Sequence, residues 1–125
     1  MQVMSLRLVR HTRQFDAVLA FYRDTLEMRC IQSWERPGTR GALLTIGKAM
    51  GETAIEILQT EDGVQKGHPV NVDLLLEVKD VDAWYDRFRR QGLRIVEALE
   101  DKPWGHRSFG IEDPDGMRVT LYTLS

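Results

Sequence analysis

The stretch FDAVLAFYR at residues 15–23 and the stretch VDAWYDRFR at residues 81–89 decide the fold. In both, apolar side chains recur at spacings of three and four, the pattern of one face of an amphipathic helix. An offset of 66 residues carries Asp16 onto Asp82 and the first apolar stripe onto the second. The sequence therefore predicts one supersecondary unit present twice. The alternative is a chance Asp-Ala match between two unrelated helices.

Strand patterns flank both helices in the same order. The first helix is predicted over residues 14–26, with Thr12 as a candidate N-cap, and the second begins after the N-cap Asp80 and ends at Gly92. In each half one strand precedes the helix and three follow it, at 6–10, 28–34, 42–46 and 53–59, then 71–78, 93–99, 106–112 and 117–123. This pattern predicts a single domain of two modules, residues 1–62 and 70–125, joined by a polar, Gly-rich connector.

Composition narrows the class of protein. The chain has 125 residues, of which 42% are hydrophobic and 29% charged, as in an ordinary globular domain. The net charge of −2 argues against nucleic-acid and anionic-membrane partners. The lone Cys30 excludes an intramolecular disulfide, and no apolar run is long enough to span a bilayer. Because residues 1–5 lack the features of a signal peptide, we expect a cytoplasmic protein.

Three segments carry a family resemblance. They are AFYRD at residues 20–24, EVKDVDA at 77–83 and PWGHRSFGIEDPDG at 103–116. Together they resemble the vicinal oxygen chelate superfamily, which includes glyoxalase I, bleomycin-resistance proteins and extradiol dioxygenases. The resemblance implies an α+β fold of two βαβββ modules. Their curved mixed sheets surround a cavity, their helices lie on the outer face, and many members form homodimers.

The resemblance also implies four positions that hold a divalent metal in metal-using members. Carried over one by one, they fall on Arg7, Glu56, Asp73 and Thr120. A guanidinium cannot ligate a metal, a hydroxyl is a poor ligand, and imidazole is absent from all four. We therefore expect no metal and no other cofactor, and an ion-pair network of Arg7 with Glu56 and Asp73 instead. In the alternative, His11 joins Glu56 and Asp73 to bind Zn, Ni, Mn or Fe.

Other polar and aromatic residues are candidates to line the cavity. His11 would share a strand face with Arg7, and His106 follows a turn, whereas His68 falls in the connector. Flat ligands stack on aromatic rings, so candidates for ligand contact include Trp34, Trp104 and Tyr122. The alternative is that these residues belong to the hydrophobic core. Trp84 is predicted to be core. Arg107 could meet an anionic ligand, but strand alternation would turn it to the opposite face from His106.

These features favour a small-molecule-binding protein of the glyoxalase and bleomycin-resistance type. The alternative is a metal-dependent lyase, isomerase or dioxygenase acting on a substrate with vicinal oxygens. A third possibility is a family member adapted to interaction or regulation. The resemblance adds the expectation of a homodimer, and nothing in the sequence names the ligand.

Overall fold

The computed structural model describes residues 1–46, 53–60 and 71–125. The chain divides into two compact units, residues 1–67 and 68–125, here called module 1 and module 2. The predicted connector, apart from Thr60, lies outside the described residues, and so does His68. None of the helices in the described part of the chain is both long and apolar enough to cross a membrane.

The described residues of module 1 form one helical segment and one four-stranded sheet. Its elements are β1 (Leu6–Thr12), α1 (Phe15–Ala20), β2 (Arg29–Arg36), β3 (Thr39–Thr45) and β4 (Thr53–Gln59). The sheet order is β1-β4-β3-β2, in which β1 runs parallel to β4 and the other pairs are antiparallel. The predicted helix 14–26 is thus an α-helix that continues as a π-helical turn over Phe21–Thr25.

Module 2 repeats this arrangement. Its elements are β5 (Asp73–Glu77), α2 (Val81–Arg90), β6 (Glu97–Asp101), β7 (His106–Glu112) and β8 (Arg118–Leu124). The sheet order is β5-β8-β7-β6, with β5 parallel to β8 and the remaining pairs antiparallel. The α+β architecture of two βαβββ modules with mixed sheets is confirmed.

One face of each sheet packs against its helix. In module 2, the fully buried ring of Phe88 on α2 lies 5.9 Å from that of Phe109 on β7, edge to face. In module 1, the buried side chains include Val18 and Tyr22 from the helical segment and Leu44 and Ile57 from the sheet. Because successive strand residues point to opposite faces, their neighbours form a second face, here called the helix-free face of each module.

Several local predictions need correction, among them the start of β3, which lies at Thr39 instead of residue 42. Thr12 is not the N-cap of α1, because Gln14 occupies that position and the Thr12 hydroxyl accepts the Gln14 N–H at 2.9 Å. β6 begins at Glu97 instead of residue 93, since the Leu93 N–H still bonds to the Phe88 carbonyl at 2.9 Å behind the left-handed Gly92. Trp84 is half-buried, with the Arg87 guanidinium 4.7 Å from its ring. The Asp80 cap is confirmed by its bond to the Ala83 N–H at 3.2 Å.

Candidate functional site

The helix-free face of module 1 carries the candidate residues of β1 and β4. Arg7 and His11 lie two residues either side of Val9, which is the register partner of Glu56 on β4. Arg7 Nη1 donates to Glu56 Oε1 at 3.0 Å, so the predicted ion pair of these two residues is present. The Arg7 side chain is 53% exposed and that of Glu56 only 17%. The carboxylate is therefore covered largely by its guanidinium partner and the sheet.

His11 is exposed on the same face as Arg7. Its imidazole forms no ion pair with an acidic side chain of the described residues. The alternative in which His11 joins Glu56 therefore has no direct contact to support it within module 1. His11 stays a candidate for ligand binding only.

Trp34 reaches this face from β2. It is half-buried, and its Nε1 donates to the Thr39 hydroxyl at 3.2 Å. Its ring lies over Gly41 on β3, so close that a Cβ at Gly41 would meet Trp34 Cζ2 at 2.3 Å. Gly41 therefore makes the space in which the indole lies flat on the sheet. The sequence signal for this contact was a glycine inside a strand, which often marks such a close approach.

Module 2 places Asp73 and Thr120 in the positions that Arg7 and Glu56 occupy in module 1. Arg7 is the register partner of Ala54, which lies two residues before Glu56. In the same way, Asp73 is the register partner of Arg118, which lies two residues before Thr120. The Thr120 hydroxyl lies 3.0 Å from each carboxylate oxygen of Asp73. The correspondence of Arg7 with Asp73 expected from the 66-residue offset is thus seen in the strand registers. Contact of Arg7 with Asp73 stays a prediction.

His106 and Tyr122 form an aromatic pair on the helix-free face of module 2. Their ring centroids are 4.1 Å apart and their planes differ by 7°, so the rings are stacked. Both were candidates from the sequence, but their mutual stacking was not predicted. Trp104 precedes them in the turn between β6 and β7 and is 67% exposed, so its reading as a core residue is wrong.

Sequence reasoning missed an ionic network on the same face. Lys102 Nζ lies 2.6 Å from Glu97 Oε1 and also contacts Glu100, while the Arg118 guanidinium bonds to the other oxygen of Glu97. The bonds from Lys102 and then Arg118 lower the pKa of Glu97, and the two carboxylates raise the pKa of Lys102. No motif marks these residues, because a bulge between Glu97 and Glu100 sets which of them meet.

Arg107 lies on the opposite face, as strand alternation predicts. Its guanidinium bonds to the Asp82 carboxylate of α2, with Nη2 2.9 Å from Oδ1 and Nε 3.1 Å from Oδ2. These bonds hold the pKa of Asp82 below its ordinary value. Arg107 is therefore paired with Asp82 of α2 and is not a ligand-binding candidate.

Comparison with known proteins identifies the family. The model of the Glyoxalase/Bleomycin resistance protein/Dioxygenase superfamily matches residues 6–121. The chain belongs to this superfamily. It is 28% identical over 113 residues to a lactoylglutathione lyase from Haemophilus influenzae, covering 83% of this chain and 80% of that protein.

Several solved structures have the same fold. YycE from Bacillus subtilis, a protein of unknown function, is 25% identical with a TM-score of 0.73, over 97% of this chain and 90% of that one. TnmS3, an antibiotic-binding protein from Streptomyces sp. CB03234, is 20% identical with a TM-score of 0.75, over 97% and 95% of the two chains. At 20% identity the likeness to TnmS3 shows the fold alone.

The four residues that the family resemblance assigns to metal positions are a poor set of ligands for a divalent ion. Arg7 offers no lone pair, and its charge is already directed at Glu56. The Asp73 carboxylate is bonded to the Thr120 hydroxyl. Among the described residues, no three His, Cys, Asp or Glu side chains come together as a group that could hold a metal. Each carboxylate of the set is thus engaged by a donor from its own module.

Proposed function

We propose that this chain is a metal-independent, small-molecule-binding member of the superfamily. The observation that carries the proposal is the 3.0 Å ion pair between Arg7 and Glu56. In this pair the guanidinium of Arg7 lies beside the Glu56 carboxylate, where a bound metal cation would otherwise lie. Such a pair needs no added ion to neutralise Glu56, because an arginine side chain stays protonated throughout the working pH range.

The helix-free faces offer the groups that a binding protein needs. Each combines flat aromatic surface with a few polar side chains, a combination typical of small-molecule sites. The residues proposed to contact ligand are Arg7, His11, Trp34, Glu56, Asp73, Trp104, His106, Thr120 and Tyr122. The antibiotic-binding activity of TnmS3, which shares the fold, supports the proposal.

Elemental analysis of protein purified without chelator tests the absence of a metal. We expect far less than one divalent ion per chain. About one zinc, nickel, manganese or iron ion per chain would overturn the proposal. It would favour instead a metal-dependent lyase, isomerase or dioxygenase, in line with the relation to lactoylglutathione lyase.

A designed gain of metal binding tests the placement of the ligand positions. We expect the double variant Arg7→His/Thr120→Glu to bind zinc more tightly than the wild type in a competition assay with a chromogenic chelator. Arg13→His/Thr120→Glu is the control, because Arg13 is exposed and lies beyond the end of β1. It is four residues past Val9, the register partner of Glu56, so a histidine at position 13 would lie far from that carboxylate. Equal zinc affinity of the two variants would show that Arg7 does not occupy the metal position.

A thermal-shift screen of small aromatic compounds tests binding itself. A ligand that binds only the folded state raises the Tm by mass action. Failure of every compound in a broad library would favour a role in protein interaction or regulation. The homodimer and the cytoplasmic location also stay predictions, and light scattering after gel filtration would test the dimer.

A further inference from the structure

Five side chains on the helix-free face of module 2 make a compact patch. Tyr122 on β8 is the register partner of Glu77 on β5 and of Ser108 on β7. His106 is two residues before Ser108 and is the register partner of Leu124. Alternation along β7 and β8 sets His106, Ser108, Tyr122 and Leu124 on one side of the sheet, since Arg107 and Phe109 contact α2 on the other. These four residues and Glu77 are together called the aromatic patch.

The aromatic patch has a stacked pair of rings at its centre, so each ring has one face covered by the other and one outer face turned away from it. The imidazole of His106 and the phenol of Tyr122 are parallel within 7°, and both residues are half-buried. Leu124 beside them is 61% exposed, and Leu75, on the same face of β5, is 49% exposed. Exposed apolar side chains beside the outer face of such a stacked pair suit a planar molecule, which gains stacking and apolar burial together.

The charge beside these rings is negative. Glu77 is exposed and forms no ion pair with any residue that the structure describes. Two cations of this face are paired with other carboxylates, Lys102 with Glu97 and Glu100, and Arg118 with Glu97. Lys79, two residues after Glu77, lies beyond the end of β5 and forms no ion pair with a described residue. Glu112, at the far end of β7, lies 3.7 Å from Arg94. Glu77 is therefore the uncompensated carboxylate next to Tyr122.

We infer that the aromatic patch binds a planar aromatic cation. The ring system stacks on an outer face of the His106–Tyr122 pair, and the cationic group lies against Glu77. This inference rests on the proposed function and names the chemical class of its ligand. It also gives Glu77 a role in specificity, because a carboxylate beside an apolar surface attracts a cation and repels an anionic molecule of the same shape.

Fluorescence polarisation of proflavine, a planar three-ring cation, tests the inference. We expect saturable binding at low salt, with anthracene carboxylate, a three-ring anion, binding at least about tenfold more weakly. Glu77→Gln should weaken proflavine binding by about fivefold, the upper end of the effect of one solvent-exposed ion pair. Tyr122→Leu should weaken it by about tenfold through lost stacking, whereas Tyr122→Phe should retain most of the affinity.

Asp86→Asn is the matched control, because Asp86 is an exposed carboxylate on α2, which packs on the opposite face of the sheet. Its proflavine affinity should equal that of the wild type. Equal losses in Asp86→Asn and Glu77→Gln, or tighter binding of anthracene carboxylate, would overturn the inference. Circular dichroism melts of each variant separate loss of binding from loss of folding, and Tyr122→Phe preserves the test should Tyr122→Leu unfold.

The result also separates this inference from the proposed function. If proflavine fails to bind while the thermal-shift screen finds a neutral or anionic ligand, the inference is wrong and the binding function stands. If the screen finds no ligand and proflavine fails as well, both are wrong. If the protein holds about one metal ion per chain and also binds proflavine in a Glu77-dependent way, the proposed metal independence is wrong. The inference about the aromatic patch is then still supported.

Discussion

Asp113 is a buried carboxylate that holds the turn between β7 and β8. Its Oδ1 accepts the N–H groups of Asp115 and Met117, both at 2.9 Å, and Gly116 in the same turn has φ +88°. A glycine meets that backbone angle without steric strain. The Asp-Pro-Asp-Gly sequence is thus a turn whose first side chain bonds to the backbone it encloses.

Replacing Asp113 with alanine should destabilise the protein. Two backbone N–H groups would lose their acceptor near a buried position, which costs about 1–3 kcal/mol. Asp113→Asn, which keeps an oxygen acceptor of the same shape, should cost less. Urea unfolding followed by circular dichroism measures both. Equal losses for the two variants would show that the oxygen is not the important group.

Gly41 and Gly110 allow a matched comparison of close approaches. A Cβ at Gly41 would meet the rigid indole of Trp34 at 2.3 Å, and a Cβ at Gly110 would meet the Nε of the flexible Arg118 side chain at 2.5 Å. We expect Gly41→Ala to lower the free energy of unfolding by about 1–3 kcal/mol, the usual result of overpacking. Gly110→Ala should cost less, because Arg118 can swing away. Denaturant titrations that reverse this order would contradict the prediction.

At the scale of elements, an ionic triad joins helix to sheet in both modules. Arg40 on β3 bonds to Asp16 of α1 at 2.8 Å and lies 3.8 Å from Glu35 of β2. Arg107 on β7 bonds to Asp82 of α2 at 2.9 Å and lies 3.4 Å from Asp101 of β6. The 66-residue offset carries Asp16 onto Asp82 and Glu35 onto Asp101. The repeated Asp-Ala of the two helices is thus a helix-to-sheet contact made twice.

The second triad should make stability depend on pH. Arg107 lowers the pKa of Asp82, so its stabilisation is present above the ordinary carboxyl pKa of about 4 and is lost as the pH falls through the lowered value. Calorimetry should show a lower Tm for Asp82→Asn than for the wild type at neutral pH. That difference should shrink as the pH falls below about 4. Asp86→Asn on the same helix is the control, and an equal, equally pH-dependent loss there would contradict the assignment.

For the whole molecule, the proposed function predicts that chelators change neither stability nor ligand binding. Neither the ion pair of module 1 nor the hydrogen bond of module 2 requires a metal. Treatment with EDTA should leave the Tm and the ligand-induced thermal shift unchanged. A fall in Tm on EDTA treatment that zinc then reverses would show a structural metal and contradict the prediction.

The sequence predicted the elements better than their contacts. The bounds predicted for β4 and β7 match those of the structure, since alternation and flanking turns define both strands. The start of β6 was misplaced, because the C-cap of α2 extends to Leu93 through a hydrogen bond that no strand pattern reveals. At the site, the roles of the nine candidates as ligand-binding groups stay predictions.

The sequence by itself determined the duplicated βαβββ order and the helix faces, and it predicted arginine and threonine at positions that the resemblance assigns to metal ligands. These follow from local periodicity and from counting along the chain. Only the tertiary structure decided that Arg7 holds Glu56, that His106 stacks on Tyr122 and that Trp34 lies on Gly41. Such contacts join residues distant in sequence, and strand register and the bulges of β2 and β6 set them, so short-range patterns cannot specify them.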